Sequence, residues 1–159
     1  MEKPRKGLGG HGWEDLAKAF AKHRVEYLII GKSGAILQGF PDTTQDIDVF
    51  PYKSPENGRR IVAALSELRF PVDRLLENAI VSGKDFVQIR GGPFDLDLVF
   101  APDGLESFEE AKRKAVFIED TYPVASIDDI IKSKKLASRQ KDKEALHRLE
   151  AFATYLRRR

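Results

Sequence analysis

Two aspartates stand two residues apart in a short, otherwise apolar segment, at Asp46 and Asp48. Residues two apart in a β-strand point to the same face, so their carboxylates would lie side by side while Ile47 and Val49 point to the other face. Like charges held this close repel each other unless a cation lies between them or one carboxylate is protonated. Oxygen ligands favour hard ions. The pair therefore predicts a magnesium or manganese site.

The segment before this pair favours phosphate binding. The apolar run Tyr27 to Ile30 predicts a strand that stops at Gly31, and a short helix is expected from about Ser33 to Gln38. Free N–H groups at such a turn form a ready phosphate site. A phosphate site beside metal-binding carboxylates indicates nucleotide chemistry. Taken alone, Asp-x-Asp is equally consistent with a solvated strand face at the edge of a sheet.

A second pair of acids follows in a predicted β-hairpin. Two strand-like runs, 85–90 and 94–100, flank a Gly-rich turn at 91–93. Apolar residues alternate through the second run and leave Asp95 and Asp97 together on the opposite face. We expect these acids to lie beside a group that needs them, with an exposed sheet face as the alternative.

The composition is that of a soluble globular protein, with 42% hydrophobic and 33% charged residues among 159. No apolar run approaches the ~20 residues of a membrane span, and the beginning of the sequence lacks a signal-peptide core. We therefore expect a cytoplasmic location and no membrane partner. The absence of cysteine excludes disulfides and thiolate metal sites. The net charge of +2 does not by itself indicate nucleic-acid binding.

The order of predicted elements indicates an α+β fold, with a small mixed β-sheet, packed helices and a C-terminal helical segment. We expect a flexible leader over 1–12 and a single domain over 13–159, with its C-terminal helices from about 126. Helices are predicted over 13–24, 54–69, 104–115, 126–138 and 141–156, strands over 26–30 and 46–50, a turn or short helix over 75–80, and a short strand at 116–119 or 123–125.

These motifs resemble the signature of the polymerase-β-type nucleotidyltransferase superfamily, which reads Gly-Gly or Gly-Ser, then Asp-x-Asp about a dozen residues later. The resemblance is strongest to small stand-alone prokaryotic members related to the AbiEii toxin, which often read Gly-Tyr-Pro-Arg-x-Thr-x-Asp-Ile-Asp. Two residues depart from the pattern: Lys32 replaces the second Gly or Ser, and Asp42 replaces Arg. The matching residues are Gly31, Gly39-Phe40-Pro41, Thr44 and Asp46-Ile47-Asp48-Val49.

The resemblance extends into the second half of the chain. The run Phe94 to Val99 is similar to the family's third acidic strand and places the third acid at Asp97, with Asp95 as the substitute. The segment 126–142 resembles the family's helical motif Ser-Leu-x-Asp-Leu-Ile-x-x-Lys-x-x-Ala-x-Arg-x-Lys-Asp. Together the matching blocks run roughly from Leu28 to Leu149.

This resemblance implies transfer of a nucleoside monophosphate from a nucleoside triphosphate to a hydroxyl acceptor on an RNA end, a protein or a small molecule. Asp46, Asp48 and Asp97 would hold two Mg²⁺ or Mn²⁺ ions ~4 Å apart, and Asp97 would serve as general base or shared ligand. The predicted nucleotide site comprises Gly31, Lys32, Ser33, Thr44, Lys134, Arg139 and Lys141. For the last three of these residues, a solvated helix face is an equally good interpretation.

A different class of function is also open. A non-catalytic relative that binds a nucleotide or a partner protein, such as a toxin–antitoxin component, would tolerate Lys32 in the phosphate turn. Phosphatases of the haloacid-dehalogenase type also use Asp-x-Asp, but they expect apolar residues where this chain has Thr43-Thr44-Gln45. Metal-dependent nucleases pair a strand acid with a nearby lysine, and the sequence offers no convincing pair.

Overall fold

The computed structural model describes residues 12–137 and 143–159. Residues 1–11 of the predicted leader lie outside the described residues, and Gly12 is the first residue of a helix. The helices are α1 (Gly12–Lys22), α2 (Gly31–Leu37), α3 (Pro55–Glu67), α4 (Arg74–Ser82), α5 (Phe108–Lys114), α6 (Ile127–Ala137) and α7 (Lys143–Arg158). The strands are β1 (Tyr27–Ile30), β2 (Asp46–Pro51), β3 (Phe86–Ile89), β4 (Asp95–Val99), β5 (Val116–Ile118) and β6 (Tyr122–Val124).

The six strands form one mixed sheet in the order β3-β4-β2-β1-β6-β5. Strand β2 is parallel to β4, and β1 is parallel to β6, whereas the other neighbouring pairs are antiparallel. Both alternatives for the short strand near 116–125 are present, as β5 and β6. The predicted α+β fold with a small mixed sheet and packed helices is confirmed.

The two faces of the sheet differ in chemistry. On one face Ile47 pairs with Leu96, and both side chains are fully buried. Helix α1 covers this face, where Phe20 packs edge-on against Tyr27 with ring centroids 4.8 Å apart. Because side chains alternate along each strand, the aspartates of β2 and β4 all point to the opposite face. The hydrophobic core thus fixes the direction of the acids.

Helix α5 begins later than predicted. The predicted helix over 104–115 includes Gly104, whose φ of +78° is incompatible with a right-handed helix. The hydroxyl of Ser107 accepts a hydrogen bond from the backbone N–H of Glu110 at 3.1 Å, and this cap defines the true start.

A second, smaller core joins helices α2, α6 and α7. It includes Ala35 of α2, Ile131 of α6 and Leu149 of α7, together with Phe40. Helix α6 packs against both of the other helices, so the C-terminal helices lie beside the turn at Gly31. None of the helices in the described part of the chain is long and apolar enough to cross a membrane.

Candidate active site

The parallel pairing of β2 with β4 brings three carboxylates together. Asp48 lies opposite Asp97 in register. One carboxylate oxygen from each of Asp46, Asp48 and Asp97 lies within 4.8 Å of the others. Asp97 is buried and the other two are partly buried. The predicted convergence of the three acids is therefore present, and Asp95 lies opposite Asp46 on the same face.

The electrostatics of this acid trio suit a divalent cation. Burial, and then the negative charges of Asp97 and Asp46, raise the pKa of Asp48 to about 7, against a smaller opposing effect of Arg90. Near neutral pH a proton thus takes up part of the excess negative charge. A cation bound by all three carboxylates would replace that proton, and an oxygen-only donor set fits a hard ion such as Mg²⁺ or Mn²⁺.

Two features require glycine at position 31: the backbone conformation there and the close approach of Asp48. Its φ is +65°, a conformation that residues with a Cβ rarely adopt. A Cβ atom at this position would lie 2.4 Å from Oδ2 of Asp48. The glycine therefore allows the end of β1 to approach the acid trio closely.

Replacing Gly31 by Ala should lower the free energy of unfolding by roughly 2–4 kcal/mol, because backbone strain adds to the overlap with Asp48. Gly91→Ala is the matched control, since Gly91 has φ +83° but a Cβ there would meet its nearest neighbour at 3.9 Å. Strain alone should cost the control roughly 1 kcal/mol. Denaturant unfolding of both variants measures the difference, and equal losses would contradict the close approach.

The hydroxyls of Ser33 and Thr44 hold the backbone around the acids. Ser33 is fully buried; its Oγ donates to the carbonyl of Ile30 at 2.9 Å and accepts from the N–H of Asp48 at 3.0 Å. Thr44 donates to the carbonyl of Asp46 at 3.2 Å and accepts from its N–H at 3.3 Å. Both residues were expected to bind nucleotide. In this structure the Ser33 hydroxyl is buried and bonded to the backbone of Ile30 and Asp48, so it is not available to a phosphate.

The two residues that depart from the family pattern contact each other. Nζ of Lys32 donates to the carbonyl of Thr43 at 3.2 Å and lies 3.6 Å from Oδ2 of Asp42. Arg148 of α7 donates to the same carboxylate at 2.8 Å. The N–H of Thr43 and then these two cations hold the pKa of Asp42 below its usual range. Lys32 thus extends toward the loop before β2, and an ion pair joins that loop to α7.

The remaining predicted nucleotide contacts fall on the C-terminal helices. Lys134 lines a cavity of about 180 Å³ together with Gly31, Lys32 and Asp42, and the other walls are mainly apolar side chains. The structure thus places Lys134 near the predicted phosphate turn. Arg139 and Lys141 lie outside the described residues.

One residue of the site, Arg90, was missed in the sequence. It follows the last residue of β3, and its Nη1 donates to Oδ1 of Asp97 at 2.9 Å. Its other nitrogens lie 3.9 Å from Oδ2 of Asp46 and 3.9 Å from Oδ2 of Asp95. Strand alternation finds it only once the hairpin register is known: Gln88 lies opposite Asp97, so the side chain two residues further along falls on the acidic face.

No protein-family model matches the sequence, and no curated protein matches it. Among solved structures the chain is similar to TM1012 of Thermotoga maritima, described as a "putative nucleotidyltransferase". The TM-score is 0.51 at 15% identity, over 92% of this chain and 91% of that chain. The two proteins share a fold.

Proposed function

We propose that this protein is a divalent-metal-dependent nucleotidyltransferase, which moves a nucleoside monophosphate from a nucleoside triphosphate to a hydroxyl acceptor. The observation that carries the proposal is the convergence of Asp46, Asp48 and Asp97 within 4.8 Å. Three such carboxylates can hold Mg²⁺ or Mn²⁺. Metal-assisted transfer to a hydroxyl acceptor then needs no cysteine or histidine nucleophile. The shared fold with TM1012 is consistent with the proposal.

In this proposal the two substrates bind on opposite sides of β2. Strand β2 lies between β1 and β4, so Gly31 flanks the acids on one side and Asp97 lies on the other. The triphosphate binds on the Gly31 side, where the turn has no side chain and Lys32 provides a positive charge. The cavity beside Gly31 lies next to this position and is lined mainly by apolar residues, so it suits the base. The acceptor hydroxyl approaches from the Asp97 side.

The reaction is an in-line displacement at the α-phosphorus. The acceptor oxygen forms a bond to phosphorus, the bond to the bridging oxygen of the β-phosphate breaks, and pyrophosphate leaves. The hydroxyl proton passes to the carboxylate of Asp97 and then to water. A divalent ion held by the three carboxylates supplies charge stabilisation for the attacking and leaving oxygens. The chain's own part is to position the phosphates and the hydroxyl.

A labelling experiment tests the proposal. Purified protein is incubated with Mg²⁺, each nucleoside triphosphate labelled either at the α- or at the γ-phosphate, and pooled RNA, protein and small-molecule acceptors. We expect acceptors to gain the α-label only, with release of pyrophosphate. Transfer of the γ-label would identify a kinase instead. No transfer of either label by a protein that still binds triphosphate would favour the non-catalytic binding module.

Lys32→Gly shows what the departure from the family pattern does. Because the ammonium lies at the loop before β2, we expect this variant to keep kcat and to raise KM for the triphosphate several-fold, through the loss of one positive charge. A large gain in kcat would instead show that the lysine obstructs the turn. We also propose, from its motifs, that the chain belongs to the AbiEii-related group.

A further inference from the structure

We propose that Arg90 is an internal counter-cation of the acid trio, which competes with a divalent ion for the same carboxylates. The inference rests on the proposed function, because it assumes that these carboxylates bind a metal. It assigns to Arg90 the role of setting the strength of that binding. It also explains how four aspartates can share one face of two adjacent strands, because Arg90 offsets part of their negative charge.

The contacts of Arg90 are directed to charges. Its shortest hydrogen bond, 2.9 Å, goes to the carboxylate of Asp97, and its contacts to the carbonyls of Ile89 and Leu96 are longer, at 3.4 and 3.5 Å. The guanidinium also lies 3.9 Å from carboxylate oxygens of Asp46 and Asp95. A planar guanidinium with five donors can serve several carboxylates in this way.

The exposure of the Arg90 side chain shows that it does not belong to the hydrophobic core. The Arg90 side chain is 41% exposed, whereas that of Asp97, its closest partner, is only 9% exposed. An exposed arginine that bonds one buried acid and approaches two partly buried acids contributes chiefly its charge. It holds Oδ1 of Asp97 by a direct hydrogen bond.

This position has a consequence for metal binding. Asp46 and Asp97 belong to the acid trio, so a divalent ion bound there would lie close to the guanidinium. Like charges at such distances repel even after screening by water. Wild-type protein therefore binds a free divalent ion more weakly than the carboxylates alone would. The negative triphosphate, when it is bound, offsets the same positive charge.

Direct Mn²⁺ titration, read by the electron paramagnetic resonance signal of the free ion, tests the inference without an activity assay. We expect Arg90→Gln to bind Mn²⁺ roughly 5- to 10-fold more tightly than wild type, because a nearby positive charge is removed. Arg90→Lys keeps the charge and should bind within about twofold of wild type. Arg60→Gln, at a surface arginine that pairs with Glu56, is the matched control and should not change Mn²⁺ binding.

The outcomes separate this inference from the proposed function. Unchanged or weaker Mn²⁺ binding by folded Arg90→Gln, with normal binding by wild type, would overturn the counter-cation role and leave the metal site intact. Absence of Mn²⁺ binding in every variant would overturn both. If Arg90→Gln fails to fold, Arg90→Met takes its place: it also removes the charge and keeps much of the length of the side chain, so it should tighten Mn²⁺ binding by a similar factor, and no change would count against the inference.

Discussion

Replacing Asp48 by Asn should stabilise the metal-free protein, and the gain should be clearly larger at pH 8 than at pH 5. The pKa of Asp48 is raised to about 7 by burial and by the charges of Asp97 and Asp46, whereas an unfolded aspartate titrates near pH 4. Between these values the folded state binds more protons than the unfolded state, so wild-type stability falls as pH rises from about 4 to about 7. An amide mimics the protonated carboxyl at every pH.

The expected gain at pH 8 is about 2 kcal/mol, which allows for relaxation and for sharing of the proton within the trio. Urea unfolding in the presence of a chelator, at pH 5 and pH 8, measures it. Asp103→Asn, at an exposed aspartate outside the site, is the control and should leave the pH profile parallel to that of wild type. A parallel profile for Asp48→Asn as well would show that ionisation of Asp48 does not destabilise the folded state.

The same substitution should reduce nucleotidyl transfer by roughly 10³-fold or more, because one of three ligands of the proposed ion is lost. Asp97→Asn should cause a loss of similar size. Asp95→Asn, which changes a neighbouring carboxylate outside the trio, should cost less than about tenfold. Initial rates of α-label transfer at saturating Mg²⁺ provide the comparison.

Opposite signs for stability and activity make the result decisive. Unfolding cannot explain a loss of activity in Asp48→Asn if that variant is more stable than wild type. Many functional sites are destabilising in this way, since charges are held together for their chemistry and not for the fold. An Asp48→Asn protein that stays active would exclude the trio as the site of transfer.

Local chemistry explains why much of this site was predictable. Strand parity places Asp46 and Asp48 on one face wherever the strand lies, and apolar alternation in the next hairpin does the same for Asp97. The turn after β1 is equally local. The apolar run stops at Gly31, and a glycine adopts the positive φ of such a turn without strain. The choice of Asp97 over Asp95 as the third acid, by contrast, came from the family resemblance. The parallel register of β2 with β4, which pairs Asp48 with Asp97, agrees with that choice.

What the sequence did not reveal depends on register and tertiary contact. Arg90 meets Asp97 only because the β3–β4 hairpin pairs in one specific register. Ser33 is a residue of a small-residue turn in the sequence, and only the approach of β2 shows that its hydroxyl binds the N–H of Asp48. Lys32 and Asp42 looked like two separate departures from a pattern, yet the fold makes them one ion pair.

The most direct test is to locate the ion itself. Crystals grown with Mn²⁺ and a non-hydrolysable nucleoside triphosphate should show an anomalous peak about 2.2 Å from carboxylate oxygens of Asp46, Asp48 and Asp97, with the triphosphate on the Gly31 side. Crystals of Asp48→Asn grown in the same way should lack that peak. A bound triphosphate whose Mn²⁺ lies away from these three carboxylates, or a peak that persists in Asp48→Asn, would contradict the assignment of the acid trio as the metal centre.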